Sequence, residues 1–537
     1  MASKDGSLVM AFNGEIYNSP ELRTYCESKG CQFRSRMDGE VILQLWKLEG
    51  LSCLRRLNGI FALAIADTRA GQVTLARDPL GVKPLVYSVA DDGSVMFASE
   101  LRALHELGVE LGSPDPLALA QFLTFLWVPD PATPYAKART VEPGGAIICT
   151  TNGIQPLRWG PPLEPDPEPA PIDERQVIEQ GAAEVRAAVQ RQMLSDVPVG
   201  LMASGGVDSG LVWWGARDLL ERAYTITWDR AGAEKLDEDA RAVELCERRF
   251  QTPVRYLPGE EWDRNRLPPS GDLLADPAYE LTRCIASSAS LDGCKVLLSG
   301  QGGDEIFGGY RRHQVARLLE LTPNWVAKDL RPLGYITGPS PALDYAGRMA
   351  RALSRPDPFH RYLALCSYSD SVERAMVLGT TEAEVGDELV WSRHLEVQSS
   401  LSPHLSLLRK VMTVDLRVYL PGLGLTYVDR AAMEHGVEVR VPLLDLDLVR
   451  WSLTLPDELL IRRGRSKWLA KQLALRVMPE ASVQRPKRGF AVPATYLTGQ
   501  SRHSAKVAGP RQAAYFLRAA ELVRLYAAGG VASSRTV

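Results

Sequence analysis

Apolar positions along the chain fall into two regimes. Residues 1–159 carry short apolar or alternating runs at 8–12, 61–66, 72–76, 85–89 and 146–150, separated by Gly, Asp and Asn turns such as Asp91-Asp92-Gly93. Short runs bounded by turn residues predict strands. Helical spacing interrupts them at 20–29 and 39–49, so an α+β layered domain is expected. Further along, helices are expected at 177–195 and 237–250, alternating with apolar strands at 197–203, 222–228, 253–257 and 295–298. Strand–helix alternation predicts a doubly wound parallel sheet with its ligand at the C-terminal ends of the strands. From residue 311 onward the pattern is mostly helical.

The two regimes meet at 160–174, GPPLEPDPEPAPIDE, where six prolines exclude a helix or a central strand. The acidic residues there predict a solvated, semi-extended linker. The expected division is 1–159, the linker 160–174, a second domain over 175–500, and a tail over 501–537. The tail is rich in Ala, Arg and Ser, carries no motif and is expected to be partly disordered. No internal repeat is visible. A chain of 537 residues exceeds what one core supports. A net charge of −3 gives no support for a nucleic-acid partner. No apolar run reaches the length of a membrane span and no signal-peptide pattern opens the chain, so a cytoplasmic protein without a membrane partner is expected. The eight cysteines are scattered without CxxC spacing, which favours a reducing compartment and argues against a structural zinc site.

The candidate chemistry lies in Ser204-Gly205-Gly206-Val207-Asp208-Ser209, between the strand at 197–203 and the apolar start of a helix at 211–214. A strand, a Gly-rich turn and a helix start make an anion site, because the turn N–H groups and the helix dipole both favour phosphate oxygens. No Walker-type Lys follows the glycines. The strand at 295–298 runs into a second such turn, Ser299-Gly300-Gln301-Gly302-Gly303-Asp304-Glu305. Two such loops can flank one nucleotide, with Asp208 and Asp304 as candidate ligands for Mg²⁺ on its phosphates.

SGGVDS resembles the loop of the ATP pyrophosphatase superfamily, which adenylates carboxylates. With SGQGGDEIFGGY it resembles, more narrowly, the glutamine-hydrolysing asparagine synthetase family. Val428-Asp429-Arg430 with Met433, the run EVRVPLLD at 438–445 and RPKRGF at 485–490 agree with it. So do FNGEIYN at 12–18 and LARDPLGVKPL at 75–85, which match the family's glutaminase domain. The resemblance implies an Ntn-type α+β glutaminase sandwich, truncated at its start. Behind it the resemblance implies a doubly wound parallel sheet of the ATP pyrophosphatase (adenine nucleotide alpha hydrolase-like) type with added helices. It implies ATP and Mg²⁺ as cofactors, with a carboxylate acceptor and glutamine or ammonia as substrates; a homodimer is allowed. In this reading Ser204, Gly205, Gly206, Asp208 and Ser209 hold the ATP phosphates. Ala203 and Ile226 cradle adenine and ribose, and Ser299 and Gly300 line the other side. Lys487 is the lysine implied to stabilise charge on the phosphates and on the tetrahedral adduct. Asn13, Gly14, Glu15 and Asp38 are the implied glutamine site.

The chain departs from the family pattern in three places. Asparagine-forming members often carry Glu where this chain has Gln301, which cannot take a proton at neutral pH. The segment 271–276, GDLLAD, keeps acidic positions at Asp272 and Asp276 but lacks the Pro of a DEPFAD-like run. The N-terminal nucleophilic Cys is not present: position 2 is Ala2, and Met1 reads as an internal methionine of the family pattern. As written, the chain is expected to use free ammonia rather than hydrolyse glutamine. The expected activity is an ATP-dependent amide ligase acting on aspartate by default. The alternatives are a specialised amide or lactam synthetase of the same family and a non-catalytic homologue.

Overall fold

The computed structural model describes residues 1–168, 173–228, 238–259, 271–322, 341–485 and 511–527. The N-terminal half is built on strands β1 (Leu8–Ile16), β2 (Gly59–Asp67), β3 (Gln72–Arg77), β4 (Val86–Val89), β5 (Val95–Ala98), β6 (Ala138–Thr140), β7 (Gly145–Thr150) and β8 (Gly153–Arg158). They form two antiparallel sheets, one in the order β1-β2-β3-β7-β8 and one in the order β5-β4-β6. The apolar run of β2 follows from its two covered faces. Phe61, Leu63 and Ile65 pack on Val41 and Trp46 of helix Gly39–Glu49. Ala62 and Ala64 pack with Leu75, Leu85, Val141 and Ile147 toward the second sheet. The result is the layered sandwich read from the pattern. β1 is its edge strand, yet the core beneath is closed, with Leu8 and Ile16 fully buried. Met1 to Ser3 fold back along Leu8 to Met10: the Met10 N–H donates to Met1 O at 2.8 Å and the Ser3 N–H to Leu8 O at 2.9 Å.

The C-terminal half holds β9 (Val199–Met202), β10 (Arg222–Thr227), β11 (Val254–Pro258), β12 (Val296–Leu298) and β13 (Glu438–Arg440). All pair in parallel, in the order β11-β10-β9-β12-β13. Helices Glu174–Arg191 and Val207–Ala216 cover one face through Val185, Val189 and Trp213, and helix Ala278–Leu291 covers the other through Ile285 and Ala289. The chain adds β10 and β11 on one side of β9, then β12 and β13 on the other. A sheet that reverses its order in this way opens a crevice at the C-terminal ends of the two strands beside the reversal. Those strands are β9 and β12, and each runs into one of the Gly-rich loops.

Two connecting segments do more than the pattern predicts. In the Pro-rich stretch Leu163 is only 1% exposed and packs in the C-terminal core. Glu164 accepts the Ser402 N–H at 2.7 Å, so the start of the linker is pinned rather than solvated. In the tail, helix Arg511–Ala527 buries Ala519, Leu522, Val523 and Tyr526 against Leu119, Phe122 and Leu123 of helix Pro116–Phe125 and against Leu273. Among the described residues no helix is long and apolar enough to cross a membrane.

Candidate functional site

The loop after β9 turns on Gly205, whose φ of +64° favours glycine. A Cβ there would lie 2.7 Å from Ala242 Cβ and 2.9 Å from the Val243 N, so the loop also needs glycine to sit against helix Glu238–Phe250. Ser204 and Ser209 close the turn, with their Oγ atoms 3.0 Å apart. Arg485 fixes it from outside by donating to Ser204 O at 2.7 Å and pairing with Asp239. The loop after β12 packs directly on this turn. A Cβ on Gly300 would meet Ser209 N at 2.5 Å, and one on Gly303 would meet Asp208 Oδ1 at 2.5 Å. The two loops therefore interlock through absent side chains, and the Asp208 carboxylate lies against the second loop.

Between them lies a residue that the motifs did not single out. Lys467 is 4% exposed, and its Nζ pairs with Asp208 and lies 2.5 Å from Asp304 Oδ1. Burial works to lower the Lys467 pKa, but the two carboxylates outweigh it and hold the ammonium charged, above the usual lysine range. Its backbone has φ +55°, a conformation costly for a residue with a Cβ, at the N-cap of helix Trp468–Val477. A lysine at a helix N-terminus also opposes the helix dipole. The sequence signal was present: a basic turn, Arg462 to Arg465, followed by a cation where an N-cap acceptor is expected.

The loops and Lys467 line a cavity of about 1940 Å³. Ala203, Ser204, Gly206, Asp208, Ser209, Ser299, Gly300, Gln301 and Asp304 are all on its wall. Gly205 supports the wall from behind. Ile226 is 8% exposed and belongs to the core; Trp228, two residues on, lines the cavity instead. Lys487 lies outside the described residues. Asp276, Glu305, Tyr310, Tyr419 and Tyr427 complete another part of the wall. Burial, then Asp304, pushes the Glu305 carboxyl up to about 7, and the Tyr310 hydroxyl donates to it at 2.7 Å.

Comparison with known proteins decides the family. The asparagine synthase family model matches residues 181–528, and the glutamine amidotransferase domain model matches residues 1–160. The chain belongs to the asparagine synthase family. It is 29% identical over 510 residues to asparagine synthetase [glutamine-hydrolyzing] 1 of Bacillus subtilis (strain 168), covering 92% of this chain and 77% of that relative. It is 29% identical over 512 residues to a putative asparagine synthetase [glutamine-hydrolyzing] of Mycobacterium tuberculosis (strain ATCC 25618 / H37Rv), covering 90% of this chain and 75% of that relative.

In the amidotransferase domain the four expected glutamine-site residues cluster at the end of β1. Gly14 has φ +140°, and a Cβ there would fall 2.0 Å from Ile60 O. Asn13 Nδ2 donates to Ser99 Oγ at 3.4 Å. Asp38 accepts the N–H groups of Ile16 and Gly39, each at 2.7 Å. Glu15 points toward the asparagine synthase domain, where Arg440 Nη2 lies 3.4 Å from its Oε1. Burial, then the Glu438 charge, pushes Glu15 up to about 7 against the pull of Arg440.

Proposed function

We propose that the chain is an ATP-dependent amide ligase that activates a carboxylate, L-aspartate by default, and transfers ammonia to it. The acid oxygen attacks the α-phosphorus of ATP and pyrophosphate leaves. Ammonia, supplied free or from glutamine, then attacks the acyl carbon, AMP leaves, and the spare proton passes to water. Aspartate so treated gives asparagine. The observation that supports this reading is the buried Lys467 ammonium between Asp208 and Asp304 at the sheet's crevice. A fixed cation at that point stabilises negative charge on the phosphates without reorganising. Ser204, Gly206 and Ser209 offer donors to the same phosphates, and Gly205 and Gly300 set how closely the loops approach.

Two carboxylates on facing loops suit Mg²⁺, a hard cation that takes oxygen ligands and completes its shell with phosphates and water. Glycine at 303 and at 309 lets both carboxylates pack against the loop backbone, since a Cβ at Gly309 would fall 1.8 Å from Asp304 Oδ1. Asp208 and Asp304 would hold the ion, and it would neutralise phosphate charge. Among the described residues no cluster of three or more His, Cys, Asp or Glu could hold a metal.

One observation favours a second reading, a specialised amide or lactam synthetase acting on another acid. Gln301 takes the place of an ionisable group and its Nε2 fills the space above Gly424, where a Cβ would lie only 2.5 Å away. Tyr427 engages the same side chain, so a neutral amide and a phenol meet at this point of the wall. Pyrophosphate release with ATP, Mg²⁺, ammonium and a panel of acids tests both. Release with L-aspartate supports the default reading. Release only with a different acid selects the specialised one. Failure to bind ATP rejects ligase chemistry and leaves a non-catalytic homologue.

A further inference from the structure

One side chain and its own backbone connect the two candidate sites. Arg440 ends β13 and is 2% exposed. Its carbonyl accepts the Ser299 N–H at 2.9 Å, so its main chain sets the first residue of the second loop. Its guanidinium points the other way. Nε donates to Glu438 at 2.7 Å, Nη1 donates to the Gln192 and Leu194 carbonyls at 2.9 and 2.5 Å, and Nη2 reaches Glu15 at 3.4 Å. The planar fork thus ties β13, the end of helix Glu174–Arg191 and the amidotransferase domain into one arrangement.

The charges around Glu15 do not balance. Lys83 is 1% exposed and lies 3.2 Å from Asp429 and 3.5 Å from Glu438. Lys83 and Arg440 are therefore matched by Asp429 and Glu438, while Glu15 and its neighbour Asp38 bring further negative charge. A ligand that places an ammonium beside Glu15 supplies the missing cation. It would hold Glu15 ionised and strengthen the Glu15–Arg440 pair.

We propose that Arg440 is a positioning residue through which an α-amino acid bound at Glu15 and a nucleotide bound at Ser299–Gly300 strengthen each other's binding. The proposal rests on the reading of Glu15 as part of the glutamine site. Coupling of this kind is reciprocal, so glutamine tightens the nucleotide by the same factor as the nucleotide tightens glutamine. Nothing in it requires glutamine to be hydrolysed.

The test measures the affinity of a non-hydrolysable ATP analogue with and without saturating L-glutamine, in the wild type and in Arg440→Lys. Lysine keeps the charge but loses the fork. The expected wild-type factor is on the order of 5–150-fold, falling toward one in Arg440→Lys while each ligand still binds alone. A second measurement needs no variant. The wild-type factor should shrink between pH 6 and 8, because glutamine changes the charge on Glu15 only while that group, set among Glu438, Asp38, Lys83 and Arg440, is still protonated. An unchanged factor in a folded Arg440→Lys protein, or a factor that is flat with pH, overturns the proposal. Calorimetry separates the two levels. If glutamine does not bind the wild type, the Glu15 reading fails and takes the coupling with it; if it binds with a factor of one, only the coupling fails.

Discussion

The Lys467 ammonium lies 2.5 Å from Asp304 Oδ1, joining the helix Trp468–Val477 to a loop more than 150 residues earlier in the chain. The same ammonium pairs with Asp208 on the other loop, so one cation sets the spacing of both Gly-rich turns. Lys467→Ala should remove the charge that faces the phosphates and leave two carboxylates repelling each other. We expect pyrophosphate release to fall by at least about 100-fold, the scale of losing one preorganised electrostatic group. Lys467→Arg should recover little, because the larger fork does not fit a point-charge position. Steady-state kinetics on folded variants checks this; near-normal turnover in Lys467→Ala would show that the lysine only braces the loops.

Interlocking of the loops predicts a steric outcome. Gly300→Ala drives a Cβ to 2.5 Å from the Ser209 N, and backbone cannot rotate away as a side chain can. A loss of roughly 1–3 kcal/mol is expected from overpacking, together with weakened nucleotide binding. Thermal melting with and without an ATP analogue reads both. An alanine variant with wild-type melting and affinity would show that the loops are free to separate.

Glu305 titrates near 7 because of burial, then Asp304. Its folded pKa stands above its unfolded value of 4.5, so the native state holds its proton longer than the unfolded chain does. Stability from this group is complete below about 4.5 and is lost as pH rises through about 7, by roughly 3 kcal/mol in all. Glu305→Gln should flatten the decline in melting temperature between pH 5 and 8. A wild-type curve already flat in that window would contradict it.

Asp415 shows the opposite sign. It accepts from the buried Tyr362 at 2.6 Å and His313 at 2.7 Å and from the partly exposed Arg312 at 2.9 Å. Burial opposes its ionisation, yet Arg312 and His313 bring it down to about 2. Its contribution is present above about 3.8 and is lost as pH falls through about 2. Asp415→Asn leaves the Arg312 charge without its counterion and should cost about 3–5 kcal/mol. Urea unfolding at pH 7 measures this, and a loss under about 1 kcal/mol would mean that water or a neighbour compensates.

Much of the site was readable because its makers are local. The apolar strand before each loop, the glycines of the turns and the acidic residues after them all lie within a dozen positions, and the crevice follows from strand order. What escaped depends on distance in sequence. β13 has three residues, two of them charged, and reads as a strand only beside β12. Lys467 carries no propensity for its place and acquires meaning from carboxylates far away in the chain. Ile226, expected to cradle the nucleotide, packs in the core of the sheet, and Trp228 two residues on lines the cavity, a difference set by the tertiary packing of β10. The stretch Asp415–Leu425 contains Pro421, Gly422 and Gly424, residues that normally break helices, yet it continues as a π-helix. Gly422 admits the Trp127 ring and Gly424 admits Gln301, so contacts with other elements override the local preference.

The last described helix, Arg511–Ala527, bears on how the protein can be handled. Tyr526 donates to the Gly271 carbonyl, and the aliphatic face beside it rests on helix Pro116–Phe125. Asp276, on the cavity wall, lies five residues from that carbonyl. Shortening the chain behind residue 500, or fusing a bulky partner close to residue 527, would loosen a wedge set between the amidotransferase domain and the rim of the ligand cavity. Helix Arg511–Ala527 is therefore tied to the segment that leads into the cavity wall, although no motif lies in it.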